Sequence, residues 1–207
     1  MGQNNQNEVD YNTSATTDER LLELCRSGDR DSFGRLVEKY QHRLFNALLR
    51  MVDNYDDAQE LTQEAFVRAL QSVDRFRGQA GFYTWLFRIG INLGINFRRR
   101  RHGKVRFVSL QRRPEQWGRQ ADGLRELVDQ QNPLPAEQVQ TAEMHHRVLE
   151  ALQALDAPAR AVVVLRDIEG LDYGRIAEIL EIPVGTVKSR LSRARMALRD
   201  QLMNRQE

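Results

Sequence analysis

Two small helical domains joined by a flexible linker is the architecture this sequence predicts, and three observations carry that prediction. No stretch of any length shows the apolar–polar alternation of a strand, so the fold class is all-α. Apolar residues recur instead at spacings of three and four in successive segments of both halves. Between the halves, residues 103–137 change character: they hold Gly103, Pro114, Gly118, Gly123, Pro133 and Pro135, three of the five prolines in the chain.

The elements follow in order. Residues 1–17 are rich in Asn, Gln and Thr and are expected to form a disordered tail. Thr17 or Asp18 can cap a helix that starts near Glu19 and carries Leu21, Leu22 and Leu24. Asp29-Arg30-Asp31-Ser32 marks a break. A longer helix from about Ser32 to Val52 places Phe33, Leu36, Val37, Tyr40, Leu44, Leu48 and Met51 at helical spacing. Asn54-Tyr55-Asp56 interrupts it, and a third helix runs from about Asp56 to Arg75. After a break at Arg77–Gly81, a fourth covers about Phe82 to Arg101. Gly90 and Gly94 inside it each cost about 1 kcal/mol against Ala and are expected to soften it. Residues 18–102 then make the first domain. The linker has room for a short helix at Leu124–Asp129. Helical pattern resumes from about Ala136 to Leu155, followed by Pro158–Asp167 and a final helix pair, so that residues 138–205 make the second domain.

Composition narrows the function. Net charge is only +2, but six cations and no acid lie between Phe97 and Arg106, and five cations and no acid between Val184 and Arg199. Positive charge focused in two places suits a polyanion. A lone cysteine, Cys25, builds no disulfide framework or thiolate zinc site and reads as packing in a reducing compartment. His42, His102, His145 and His146 lack metal-ligand spacing, so no metal or other cofactor is expected. The N-terminus lacks the apolar segment of a signal peptide, and the longest apolar run, Ala161–Leu165, is five residues. A cytoplasmic protein without membrane insertion is expected.

The most informative stretch runs from Leu171 to Arg195. Ile176, Ala177, Ile179 and Leu180 give a short helix that Pro183 cannot continue. A second helix puts Val187, Leu191, Ala194 and Leu198 on one face and cations on the others, as a helix lying in a DNA groove requires. The small Ala177 lets two helices cross closely. Glu181 stands where Gly would take a left-handed cap freely; the mismatch costs about 1 kcal/mol and is expected to alter the turn slightly. The Asp56–Arg75 helix shows two apolar aspects: Ala58, Leu61, Ala65, Ala69 and Phe76 on one side, Phe66, Val67 and Leu70 on another beside Gln59, Glu60, Gln63 and Glu64. It is either a central bundle helix packed on both sides or a docking face with a carboxylate rim. On the fourth helix, Phe82, Leu86, Ile89, Leu93 and Phe97 form a core stripe, flanked by Trp85, Arg88, Asn92, Asn96 and Arg99. Aromatic, amide and guanidinium groups on one side suit stacking on bases and binding phosphates. The four arginines Arg98–Arg101 spread around the helix and are expected to be solvated or phosphate-bound.

With DDAQELTQEAFVRAL at Asp56–Leu70, FYTWLFRIGINLGINFRRR at Phe82–Arg100 and the helix-turn-helix at Leu171–Arg195, residues 18–205 resemble a bacterial RNA polymerase sigma factor of the extracytoplasmic-function type. The resemblance implies that the Asp56–Leu70 helix grips the β′ subunit of core RNA polymerase, through Asp57, Gln59, Glu60, Gln63, Glu64 and Phe66. Gln59-Glu60 stands where the family usually has an acidic pair. The loop with Phe76, Arg77 and Gln79, and the helix with Trp85, Arg88, Asn92, Asn96, Arg98, Arg99 and Arg100, match the element that recognises and opens minus-ten promoter DNA and captures a flipped base. The second helix of the pair, with Thr186, Lys188, Ser189, Arg190, Arg193 and Arg195, matches the minus-thirty-five reader. The β and β′ subunits, promoter DNA and an anti-sigma factor are the implied partners, and no residue is expected to be catalytic.

Two other readings compete. A stand-alone regulator binding duplex DNA explains the C-terminal half equally well but not the flank of Trp85, Asn92, Asn96 and Arg99; it would bind specific duplex without polymerase. An enzyme with a DNA-binding tail finds no nucleophile–base pair, metal spacing or Gly-rich phosphate loop in the N-terminal half.

Overall fold

The computed structural model describes residues 17–76, 78, 80–108 and 147–203. The expected tail up to residue 16, Arg77 and Gln79 of the loop, linker residues 109–137 with the short helix at Leu124–Asp129, and the resumed helical pattern over 136–146 lie outside the described residues. The N-terminal unit holds α1 (17–26), α2 (Arg30–Val52), α3 (Tyr55–Gln71), a 3-10 turn at Val73–Arg75 and α4 (Phe82–Val108). The C-terminal unit holds α5 (147–154), α6 (Ala157–Val163), a π turn at Val164–Ile168, α7 (Tyr173–Leu180) and α8 (Val184–Met203). Among the described residues there is no strand.

Helix ends follow local chemistry. Asp29 caps α2: its Oδ1 accepts from the Asp31 N–H at 3.1 Å, and the Ser32 hydroxyl donates to Oδ2 at 2.7 Å. The Ser32 bond, followed by the backbone bonds, holds the Asp29 carboxyl below its usual value. Asp53 ends α2 in the left-handed region (φ 60°), and Asn54 caps α3 by accepting from the Asp57 N–H at 2.9 Å. Of the two candidate caps of α1, Thr17 and Asp18, Asp18 does not serve as one. It lies inside the helix, buried, with Lys39 Nζ at 2.5 Å and the Tyr40 hydroxyl donating to it, because a buried carboxylate needs charged or hydrogen-bonding partners and α2 supplies both. Helix α4 extends past Arg101 to Val108, so the first residues of the expected linker are helical.

Helices α2, α3 and α4 pack against one another around Leu36, Leu44, Leu48, Ala58, Ala65 and Leu86. Phe33 meets Phe66 and Phe82 edge-on, at 6.5 and 6.4 Å between centroids. The two glycines of α4 are explained by this packing rather than by softness. A Cβ on Gly90 would lie 2.7 Å from Leu44 Cδ1, and one on Gly94 3.3 Å from both Leu48 Cδ2 and Met51 Cβ. They let α4 approach α2 more closely than a Cβ at either position would allow without a shift of Leu44, Leu48 or Met51.

In the C-terminal unit, Ile176 and Ile179 of α7 pack with Val187, Leu191 and Ala194 of α8, the stripe read from the sequence. Glu181 takes the left-handed cap (φ 54°, ψ 45°), with its own N–H and that of Ile182 both donating to the Ala177 carbonyl. The turn therefore has the geometry glycine would give it, without the expected alteration. The two units are not beads on a string. Helices α6 and α7 pack against α4, and one continuous apolar core runs through both.

Candidate nucleic-acid and polymerase interfaces

Helix α3 buries Ala58, Leu61, Thr62, Ala65, Phe66 and Ala69. Phe66, expected on the outer face, is 7% exposed and sits edge-on to Phe33, so it is a core residue. The reason is helical phase: it falls beside Thr62 and Ala69 on the buried side. Tyr55, Val67 and Leu70 are the apolar side chains this helix leaves exposed. Gln59, Glu60 and Gln63 are exposed around them, and Glu64, half-buried, pairs with Arg68 at 2.5 Å. Asp57 accepts from Arg101 of α4 at 3.0 Å, tying the two helices together.

Beside this face lies an aromatic cluster. Phe76 packs on Trp85 at 4.9 Å and Phe82 packs on Trp85 at 5.9 Å, leaving Phe76 and Trp85 half-buried. Arg26 of α1 holds the loop's start, donating from Nε to the Val73 carbonyl at 3.2 Å and from Nη2 to that of Phe76. Its role was not visible in the sequence, where it is one cation among many near a helix end. Nearby Cys25 is half-buried, and burial, then the Asp74 and Asp29 carboxylates, push its thiol up, the opposite of an activated thiol. Along α4, Asn96, Arg99 and Arg100 are exposed, and Arg88 and Asn92 half-buried.

Arg98 departs from expectation. It is buried, not solvated, and its guanidinium donates to the carbonyls of Met51 at 3.1 Å, Gln153 at 3.1 Å and Leu155 at 3.2 Å. It also reaches Asp53 Oδ2 at 3.2 Å. Arg160 of α6, fully buried, donates to both Asp53 oxygens, with Nη1 at 2.6 Å from Oδ2. The physical reason is that two chain ends, those of α2 and α5, converge there with unpaired carbonyls that a guanidinium fork satisfies. Burial pushes the Asp53 carboxyl up against the pull of Arg160 and Arg98, and burial, then the neighbouring Arg160, pulls Arg98 down. A second seam lies at Glu169, just past the π turn. Its carboxylate accepts from Arg43 Nε at 2.7 Å and the Tyr83 hydroxyl at 3.3 Å, and the Arg43 guanidinium lies 4.7 Å from the Tyr83 ring. Arg88 pairs with Glu181 at 3.3 Å. Sequence reasoning singled out none of Asp53, Arg160, Glu169, Arg43 and Tyr83 as functional. Arg160 carried a signal, as the lone charged residue in the otherwise apolar segment from Ala157 to Leu165.

On α8, Thr186 and Arg190 are half-buried and Lys188, Ser189, Arg193 and Arg195 exposed. Lys188 and Arg166 lie over the Tyr173 ring at 5.7 and 4.9 Å. The Ser189 hydroxyl and Arg193 Nε donate to carbonyls of their own helix. Arg195 donates through both Nε and Nη2 to Asp167, which holds it more firmly protonated than usual.

Comparisons with known proteins show the family. The family described as Sigma-70 region 2 matches residues 36–103, and Sigma-70, region 4 matches residues 145–198. The RNA polymerase sigma-H factor of Pseudomonas aeruginosa is 36% identical over 187 residues, covering 87% of this chain and 91% of its own. The ECF RNA polymerase sigma-E factor of Escherichia coli K12 is 35% identical over 191 residues, covering 88% and 92%. Among solved structures, CnrH in complex with the cytosolic domain of CnrY is similar at a TM-score of 0.63 and 26% identity, covering 91% of this chain and 98% of its own. An all-α chain with a basic helix-turn-helix, a carboxylate-rimmed apolar face and an arginine-bearing helix between them is accounted for by these relatives at nearly full length: it belongs to the extracytoplasmic-function sigma factors, the proteins that bind core RNA polymerase and direct promoter recognition and transcription initiation.

Proposed function

We propose that three helices divide the work of initiation. Helix α3 docks on the β′ subunit through Tyr55, Val67 and Leu70, with Asp57, Gln59, Glu60, Gln63 and Glu64 as its polar rim. Helix α4 and the loop before it read and hold open minus-ten DNA: Trp85 and Phe76 stack on an extruded base, Asn92 and Asn96 read edges, and Arg99 and Arg100 bind phosphates, with Arg77 and Gln79 contributing from the loop. The first turns of α8 read minus-thirty-five DNA through Thr186, Lys188, Ser189 and Arg190, and Arg193 adds phosphate contact. Arg195 positions α8 against Asp167. Every one of these acts by binding, and no catalytic residue is assigned.

The observation that carries this reading is on α4. One helix buries a core stripe against α2 and α3, yet presents Asn96, Arg99 and Arg100 to solvent beside half-buried Trp85 and Asn92. A duplex-only regulator has no use for that combination, whereas an unpaired strand needs stacking and phosphate groups together. Among the described residues no helix is long and apolar enough to cross a membrane. We place the chain in the cytoplasm with its polymerase. An anti-sigma factor is a further partner on this reading; the similar chain CnrH was solved in complex with the cytosolic domain of CnrY.

Run-off transcription tests it, with purified bacterial core polymerase and a pool of promoters from the source genome. Specific initiation should require the chain and be lost with Arg99→Ala/Arg100→Ala, a pair whose exposure leaves folding intact. Unchanged initiation by that variant would remove α4 as the minus-ten reader. Specific duplex binding without polymerase, and no initiation, would favour the stand-alone regulator.

A further inference from the structure

Helix α1 lies outside the three helices that divide the work, yet its last turn reaches the start of the loop before α4. The helix is held along its length. Near its start, the buried Asp18 carboxylate is bound by Lys39 and Tyr40 of α2. Leu22 is buried in the core. At its end, the Gly28 N–H donates to the Cys25 carbonyl and the Asp29 N–H to the Leu24 carbonyl, both at 3.0 Å, with Gly28 at φ 104°. The backbone of Arg26 is therefore fixed by bonds that owe nothing to the loop.

From that fixed point the Arg26 guanidinium spans two carbonyls. Its Nε donates to Val73 at 3.2 Å and its Nη2 to Phe76. The Val73 carbonyl also takes the Phe76 N–H at 3.2 Å, so Arg26 binds the turn at the atom that closes it. The guanidinium carbon lies 6.0 Å from the centre of the Phe76 ring. That ring packs on Trp85 at 4.9 Å and stands edge-on to Phe82 at 6.4 Å. One arginine thus holds the carbonyl of Phe76 and faces its ring, at the residue where the chain leaves the turn. Only a planar fork of donors reaches both carbonyls; an ammonium is a point charge and satisfies one.

We propose that Arg26 is a positioning residue for base capture. It touches no base. It holds the Phe76–Trp85 pair in one arrangement before DNA arrives, so that the pair is not ordered at the expense of binding. The inference rests on the assignment of Phe76 and Trp85 as the pair that stacks on the extruded base. It adds α1 to the machinery of opening, through a side chain that no DNA or polymerase contact assigned above requires.

Binding of single strands by holoenzyme tests it, with the full chain on bacterial core polymerase. A fluorescent strand selected from a random pool for binding to the parent holoenzyme is compared with a set of the same strand, each member lacking one base. The member that binds the parent most weakly locates the captured base. Arg26→Ala should bind the intact strand about tenfold more weakly, the worth of one charge-assisted hydrogen bond, and should lose nothing further on the strand that lacks the captured base. Arg26→Lys should lose about threefold on the intact strand, half the effect on a logarithmic scale, and again nothing on the other. Arg20→Ala, which removes the same charge from an exposed position on the same helix, should match the parent. Capture of core polymerase should be equal in all forms. Parent affinity in Arg26→Ala overturns the proposal. So does an equal loss on both strands, which is the result of a phosphate contact or of a disturbed fold. If Arg26→Ala melts before the assay temperature, Arg26→Lys decides by the same comparison. A parent holoenzyme indifferent to every missing base removes the stacking assignment itself, and the parent strands alone show that result, so it is distinct from a failure of Arg26.

Discussion

At the scale of single residues, Asp53 is constrained twice over. It ends α2 in a left-handed conformation and accepts from two buried arginines at once. Asp53→Ala would leave both cations buried without a counter-charge and is expected to lose about 3–5 kcal/mol of stability. Arg160→Met keeps the Asp53–Arg98 pair and fills the volume with apolar atoms, so its loss should be clearly smaller; urea unfolding of both variants checks the order. Gly90 makes a second prediction at this scale. Ala gains about 1 kcal/mol of helix propensity, but its Cβ would crowd Leu44 in a packed core, which costs about 1–3 kcal/mol. Gly90→Ala should therefore lower the melting temperature, whereas propensity alone predicts a rise. The glycine itself is plain in the sequence. Its reason is not, because the leucine it admits lies 46 positions earlier, on another helix.

Among the elements, α2 and α3 show how much local chemistry decides. The Asp29 cap is held ionised below the usual carboxylate value by the Ser32 hydroxyl. Its contribution is complete above pH 3.8, the ordinary value, and is lost as the pH falls through the depressed value below it. Thermal melts of the parent and Asp29→Ala should differ at neutral pH and converge only in acid below that lowered value. For α3 the buried and exposed apolar residues predict opposite behaviour. Phe66→Ala should destabilise the fold by about 3–5 kcal/mol. Val67→Ala/Leu70→Ala should leave the melt within about 0.5 kcal/mol of the parent but weaken capture by core polymerase in a pull-down. Periodicity had placed Phe66 with Val67 and Leu70. The distinction between them is one of phase by a single residue, and only the position of Phe33 on α2 settles it.

For the whole molecule, the central fact is that one apolar core spans both units, with ion pairs at its seams. Binding of DNA by a polymerase complex containing the chain should depend steeply on salt, since each phosphate neutralised releases counterions. Arg99→Ala should reduce the slope of log affinity against log salt by about one, uniformly across promoter sequences. A salt slope unchanged from the parent would place Arg99 away from the phosphates.

The sequence by itself determined the all-α class, the order of the helices, the helix-turn-helix with its Val187–Leu191–Ala194 stripe, and the family. Each of these depends on spacing within one helix or on residues adjacent along the chain, where 3.6-residue periodicity and capping rules suffice. Only the tertiary structure decided that Arg98 is buried, that Gly90 and Gly94 serve close packing, and that Asp53, Arg160 and Glu169 fasten the units together. Those are properties of pairs, up to 126 residues apart in the Arg43–Glu169 contact. A charged side chain carries no mark of its partner until folding brings the two together and removes the water between them.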